Sequence, residues 1–584
     1  MKLEDLANEI LLDLFELLDD IHLLHAFNGL NSRFNMLLFN RFQTYHLDFR
    51  SLSKHNFSIV CQEYLPTIIN QVITLHLSND NETPNLLQLF LSYDFTLNRF
   101  NHLQTLSLYH MDSLSILNEI LLQCHHLPYL IHLNVIKCNF DQREREILYL
   151  INNIWSLSKL THCNLDNIFV SKLLFTNSMP IISQSIEYLS MKNIYCPLSI
   201  LFNLLQCTPC LRCIHIMDVI GYEDEQLQPI VSSLSSMNIS FSGSMYSLEK
   251  LFRIVSNLYS LTIRTSSMFL NGYEWEEIII NHLSKIKVFR LKMEFSFPTH
   301  KNKEEQIDKL LDSFRTHFWI DEHQWFIQYD YIPTNAFNCD VLYTLPYAFE
   351  DLTYASKQLS KSTCPENKIF QRFDRVKVLR YSNQDEYLSN ESNTHSSRFL
   401  NIRHLEIDLP FNDHLFTIVS LNRLVSLHIT LPLNSDHFLL EGLLDRIPHL
   451  YSLTIQHWSS IHPTLFQVKN ESLRRLVFVQ SPTIPNNFYF NNDECTALSN
   501  SPLGFHCEVL VIDVQCRTNI LELIKTMTNL RSLTVQCNDD EWNIWSSSTG
   551  NDELVTWLQK HLSSTCLVIR DPKKVSNIQI WIDS

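Results

Sequence analysis

The chain has 584 residues, of which 45% are hydrophobic and 18% charged, which is ample for a buried core and excludes a disordered or collagen-like chain. Its 45 Lys+Arg against 62 Asp+Glu give a formal charge of −17, the wrong balance for general nucleic-acid binding. Only 7 residues are glycine, and no two lie closer than Gly221 and Gly243, so neither a GxGxxG nor a GxxxxGKS/T phosphate loop can form and the familiar nucleotide-binding enzymes are excluded.

The 15 cysteines are odd in number and scattered singly, which fits a reducing compartment better than a disulfide framework. At the N-terminus Lys2, Glu4, Asp5, Glu9 and Asp13 interrupt the apolar residues, so no secretory leader is expected. No uncharged apolar run reaches membrane-spanning length. The expectation is a soluble cytoplasmic and/or nuclear protein without a membrane or nucleic-acid partner.

Residues 3–18 place Leu6, Ile10, Leu14 and Leu17 at helical spacing. Asp19 and Asp20 can cap a second helix through Ile21, Leu23, Leu24 and Phe27, and Asn31 and Ser32 a third through Phe34, Leu37 and Leu38. Residues 1–45 are therefore expected to form a small all-α bundle, with 46–71 as linker or first cap.

From Val72 onward the chain repeats. Asn257–Ile263 reads NLYSLTI, His449–Ile455 reads HLYSLTI and Asn529–Val535 reads NLRSLTV. The shared pattern of an apolar residue, another three on and another two beyond is the L-x-x-L-x-L signature of leucine-rich repeats. Its last two positions alternate as in a strand, and upstream apolar residues follow helical spacing. Such anchors fall at Val72, Leu103, Leu130, Leu160, Ile186, Leu211, Leu258 and Ile286, then at Val376, Ile402, Leu424, Leu450, Leu473, Val509 and Leu530. The fold class expected is α/β: a horseshoe solenoid with parallel strands on the concave face and helices outside, because one unit cannot bury its own apolar face. Residues 72–296 form the first series and 376–584 the second, with a C-terminal cap.

Between the series, residues 297–375 read as atypical repeats or an insertion. Residues 301–316 make a charged amphipathic helix with Ile307, Leu310, Leu311 and Phe314 on one side, Trp325–Tyr331 an aromatic-rich strand, and 354–369 a polar loop.

Little in the sequence carries catalytic chemistry. Cys207, Cys210 and Cys213, with Cys196 upstream, have the spacing of a zinc or iron–sulfur site. The LLQC ending at Cys207 recurs at Cys124, however, so these read as repeat positions with free thiols, and no metal or cofactor is expected. Cys124, His125 and His126 are neighbours in sequence at a helix end and lack an orienting partner. Glu276–Glu277 and Asp539–Glu541 read as solvated charge. No enzyme is expected. On the strands, Arg264, Arg290, Lys292 and Arg380 would stand near one height and could hold an acidic or phosphorylated protein segment. Ordinary exposed strand charge is the plainer reading.

Leu6, Glu9, Ile10, Leu11, Leu14, Phe15 and Leu18, then Asp20–Ile21 and Leu30–Phe34, together resemble an F-box, with Ala7 where proline is usual and Asn31–Ser32 where a cysteine-containing stretch is usual. An F-box followed by such repeats resembles the F-box leucine-rich-repeat family. That resemblance implies a non-catalytic substrate receptor of an SCF-type cullin-RING ubiquitin ligase. Leu6, Glu9, Ile10, Leu11, Leu14, Leu18, Leu24 and Phe27 would dock a Skp-type adaptor while the repeats hold a protein substrate. The alternative is a protein-binding repeat scaffold whose N-terminal helices only cap the solenoid.

Overall fold

The computed structural model describes residues 3–41, 44–93, 95–138, 144–167, 181–194, 196–221, 233–266, 268–297, 302–332, 340–355, 358–365, 373–382, 399–411, 414–431, 438–457, 466–480, 488–540, 542 and 552–583. The chain divides into two compact units, Met1–Met237 and Asn238–Ile582. It is a mixed α/β protein of parallel strands alternating with helices, consistent with leucine-rich repeats.

The first unit opens with helices Asn8–Phe15, Asp20–Phe27 and Ser32–Met36, the last running into a π turn, Leu37–Arg41. Asp19 accepts from the Ile21 and His22 N–H groups and Asn31 from Phe34 N–H, so each cap absorbs orphan helix donors. Leu11, Phe15, Leu23, Phe34, Leu37 and Leu38 form their core, with Phe27 ringed by Phe15 at 4.9 Å and Phe34 at 5.4 Å. Arg33 staples the third helix to the first: its guanidinium donates to Asn8 Oδ1 (2.8 Å), Glu4 O (2.6 Å) and Leu6 O (2.5 Å).

The segment read as a linker contains a strand, Tyr45–Asp48, paired in parallel with Val72–Ser78. Parallel neighbours follow at Thr105–Tyr109, His132–Ile136, His162–Asp166, Tyr188–Lys192 and Cys213–Ile220. The anchor stands two residues before each of these five strands, and the residues three and five beyond it point into the core: Leu103, Leu106 and Leu108, or Ile186, Leu189 and Met191, are all buried. One carbonyl per unit, just after the anchor, accepts two N–H groups from the next unit. Gln104 O accepts from Ile131 and His132, and Glu187 O from Arg212 and Cys213. The ladder so formed satisfies the backbone groups of the turn entering each strand.

Seven residues beyond the anchor stands a left-handed residue, just past the strand at His110, Lys137, Asn167 and Asn193 and within it at Asp218, all with φ between 52° and 68°. Asn, Asp and His tolerate this region better than other non-glycine residues. That substitution explains how so long a repeat array manages with so few glycines.

Strand Ser236–Ser242 begins in the last two residues of the first unit and runs on into the second, which also carries Ser260–Ser266 and Val288–Phe295, paired in parallel. The wide interval before Leu258 conceals a unit whose anchor is Leu234, with Met237 and Ile239 buried at the same offsets. After Val288–Phe295 the parallel ladder breaks. Asp340–Thr344 pairs with it antiparallel, then Ile327–Tyr331, then Leu359–Ser362. The part of the expected loop at 359–362 is thus a strand. Helix Lys303–Ser313 is tied to these strands by Lys303 Nζ, 2.8 Å from Asp340 Oδ1, and the strands are tied to one another by the Tyr329 hydroxyl, which donates to Asp340 Oδ2 (2.7 Å), and by those of Tyr343 and Ser360, which donate to Asp330 (2.6 Å each). Gly272, which opens helix Gly272–His282, lets this layer approach closely, because a Cβ there would stand 2.3 Å from Ser313 O.

Parallel order resumes within the interval read as insertion, at Asp351–Ala355, whose anchor is Phe349 and whose Glu350 O accepts from Lys377 and Val378 N–H. It continues through Val378–Ser382, His404–Asp408, Ser426–Thr430, Ser452–His457, Arg475–Gln480, Val509–Val514 and Ser532–Cys537. Val509 pairs with Ser532, two places past the anchor, so the anchor of its unit is the buried Cys507. An antiparallel hairpin, Leu567–Arg570 and Asn577–Trp581, closes the edge, with Arg570 Nε 2.7 Å from Asp552 Oδ2 and Arg570 Nη1 2.5 Å from Asp540 Oδ2.

The left-handed exits give a test. Lys137→Gly is expected to raise stability by roughly 0.5–1 kcal/mol, because glycine enters this region freely, whereas the same change at Lys192, one residue earlier in its unit and within a strand, lowers it by a similar amount. Urea midpoints of the two variants check this.

Candidate functional site

Three of the four expected strand cations are already paired. Arg264 Nη2 lies 2.5 Å from Asp351 Oδ1, and Lys292 Nζ lies 2.8 Å from Glu294 and 3.7 Å from Asp351. Arg380 Nε lies 2.8 Å from Glu406. Burial alone would raise the Asp351 carboxyl, but the Arg264 hydrogen bond and the charges of Arg264, Lys292 and Arg380 outweigh it and hold the group below the usual carboxylate value. The four cations also stand at two heights, since Arg264 pairs with Lys292 while Arg290 pairs with Thr262, two residues earlier. The expected common stripe is therefore corrected: Asp351, on the strand that restarts the parallel order, takes up two of its members.

Arg290 is different. It lines a pocket of about 490 Å³ together with Lys287, Phe289, Trp325, Tyr347 and Arg375. The pocket exists because Asp340–Thr344 pairs only with the second half of Val288–Phe295, from Lys292 onward. Beside the first half, Leu291 N–H donates to Thr344 Oγ1 (3.0 Å) and the chain turns away through Leu345–Ala348. Among the described residues none of Lys287, Arg290 and Arg375 has an ion pair. Burial, then the like charge of Arg375, holds the Arg290 guanidinium below the usual arginine value. The walls are aromatic. Trp325 stacks on His323 at 4.1 Å and meets Phe289 at 5.3 Å, and the Tyr347 hydroxyl is turned to Asp351 O (2.6 Å). Asp374, exposed, is the acidic residue on the rim. Sequence spacing found Arg290 but missed Lys287 and Arg375, which stand in the turns before their strands, outside the alternation used to find strand residues.

At the N-terminus the helices sort the residues expected to meet an adaptor. Ile10, Leu14 and Leu18 are 48%, 37% and 42% exposed, and Glu9 is exposed with them. Leu11 and Leu24 are fully buried, and Leu6 and Phe27 are half-buried against the bundle core. Those four hold the helices together and offer little outward surface. Leu17, in the turn that follows the helix with its N–H on Leu14 O, is 81% exposed and adds to the outward apolar residues.

Cys207 ends helix Leu198–Cys207 and Cys213 begins the next strand, while Cys196 is buried and Cys210 exposed. Among the described residues no three His, Cys, Asp or Glu side chains gather as metal ligands, and no helix is long and apolar enough to cross a membrane.

A second feature lies on the first unit's strands. His132, His162 and Tyr188 stand at the same offset in successive units: His162 meets His132 at 4.3 Å with the rings tilted and stacks on Tyr188 at 4.2 Å. Thr161 Oγ1 lies 2.8 Å from His162 Nδ1. Burial lowers the His132 value, and burial and then the charge of His132 lower that of His162 against the opposing pull of Glu187.

No family model matches the chain, and no curated protein matches it. Among solved structures it is similar to a leucine-rich-repeat protein of Leptospira interrogans, at 13% identity over 82% of this chain and 98% of that one, with a TM-score of 0.20.

Because both histidines titrate below their ordinary 6.5, the unfolded chain binds more protons than the folded one just below that pH, and their contribution is lost as pH falls through 6.5. His132→Gln with His162→Gln should therefore flatten the loss of urea stability between about pH 7.5 and about pH 5.5 relative to the parent.

Proposed function

We propose that this protein is a non-catalytic substrate receptor of an SCF-type cullin-RING ubiquitin ligase, working in the cytoplasm and/or nucleus. Its N-terminal helices would dock a Skp-type adaptor and its repeats would hold a protein substrate. The observation that carries this reading is the apolar face of Ile10, Leu14, Leu17 and Leu18, left outside a bundle whose core is already filled by Leu11, Phe15, Leu23 and Phe34. Four large apolar side chains on one short surface are costly to leave in water unless a partner covers them. The F-box resemblance names that partner. The mechanism is proximity: a target held on the repeats presents its lysines to a charged ubiquitin carrier at raised effective concentration.

A second reading, a repeat scaffold capped by these helices, is favoured by the bonds that tie them to the first strands. The Asp20 carboxylate accepts from His46 N–H, the Tyr45 hydroxyl donates to Leu38 O (2.8 Å), and Gln71 Nε2 donates to Phe39 O (3.2 Å). A docking helix need not be fastened in this way, but a cap must be.

Pull-down of the intact chain with purified Skp-type adaptor separates the two. The receptor reading expects binding that falls at least about tenfold in Ile10→Asp with Leu14→Asp, since burying two carboxylates at a docked face is prohibitive. Both positions are exposed, so the parent thermal midpoint should be kept. No binding by the folded parent would leave the capped scaffold.

A further inference from the structure

The pocket at the break of the parallel order gathers unpaired positive charge inside an acidic protein. Several neighbouring cations are answered by carboxylates: Arg264 and Lys292 by Asp351, Arg380 by Glu406, Lys377 by Glu350. Here Arg290 and Arg375 line one concavity, close enough for the Arg375 charge to act on Arg290, with Lys287 beside them, and among the described residues lining it Asp374 is the acidic one. Holding like charges together around a concavity costs free energy that an anion between them would recover. The other lining is flat and apolar: Phe289, Trp325, Leu345, Pro346 and Tyr347. The size, about 490 Å³, lies in the range of small-molecule and side-chain sites.

We propose that this pocket binds a phosphate monoester on an aromatic stem, the dianion between the Arg290 and Arg375 guanidiniums with Lys287 adding charge, and the ring against Trp325 and Tyr347. Two planar guanidiniums suit a phosphate's several oxygens, and the aromatic wall distinguishes an aryl ester from a bare anion. A phosphorylated tyrosine of a bound protein is one source of this group and a free aryl phosphate another. Only the protein source rests on the receptor function proposed above.

The test titrates the full chain, without adaptor, with phenyl phosphate, inorganic phosphate, and a phosphotyrosine peptide beside its unphosphorylated form, by calorimetry. Phenyl phosphate is expected to saturate one site at least about tenfold more tightly than inorganic phosphate. Arg290→Gln and Arg375→Gln should each weaken it about tenfold, since each removes one charged donor pair, while the paired Arg380→Gln leaves it unchanged. Asp374→Asn should strengthen binding a few-fold by removing the rim's negative charge, a gain that misfolding cannot imitate. Peptide binding that requires the phosphate assigns the protein source, and phenyl phosphate binding without it assigns a small aryl phosphate. Absence of saturable phenyl phosphate binding, equal binding of inorganic phosphate, or unchanged affinity in Arg290→Gln with Arg375→Gln would each overturn the proposal. Because no adaptor is present, failure here is independent of the adaptor pull-down.

Discussion

Every strand in the parallel runs depends on a neighbour it does not contain. A unit such as Leu258–Ile263 directs Leu258, Leu261 and Ile263 inward, but a strand of this length cannot bury three large side chains or satisfy its own N–H and C=O groups. The carbonyl after the anchor is where that dependence is most concentrated: Tyr259 O accepts from both Lys287 and Val288. Register follows from this shared acceptor, because sliding one unit by a residue would orphan two donors and turn the buried alternation outward.

The same constraint explains the pocket. Where the chain replaces the next parallel strand with an antiparallel one, only Lys292–Phe295 keeps strand partners on that side. The beginning of the strand must be completed by a side chain, Thr344 Oγ1, and by the turn through Pro346. A concavity remains beside it. Charge then sorts by distance. Asp351 reaches Arg264 and Lys292, and Phe349 lies 4.7 Å from the Arg264 guanidinium. Among the described residues Arg290 and Arg375, at the opened end, make no ion pair.

Much of the parallel framework was legible because the repeat pattern combines two independent signals, an anchor and an alternation, at fixed offsets. The misses have physical reasons. Leu234 was overlooked because its unit carries Met237 in place of leucine, and Cys507 because a thiol does not announce itself as an apolar anchor although it packs as one. The strand at 359–362 is polar because it lies at the edge of an antiparallel hairpin, where only alternate positions need burial. The cation stripe failed for a different reason: pairing partners such as Asp351 lie 87 residues away from Arg264, a separation that no local spacing can reveal. At the N-terminus, helical spacing identified the amphipathic helix but could not divide its residues between the core and the outer face, since Leu11 and Ile10 are adjacent and equally apolar.

The break in the parallel order both creates the pocket and sets which of the described cations go without a carboxylate partner. The most direct measurement is a crystal structure of the full chain grown with tungstate, a tetrahedral dianion whose anomalous signal locates it without ambiguity. The expected result is a peak between Arg290 and Arg375, with Arg264 and Lys292 still on Asp351. A peak on Arg264, Lys292 or Arg380 with their carboxylate pairs broken, and none in the pocket, would contradict it.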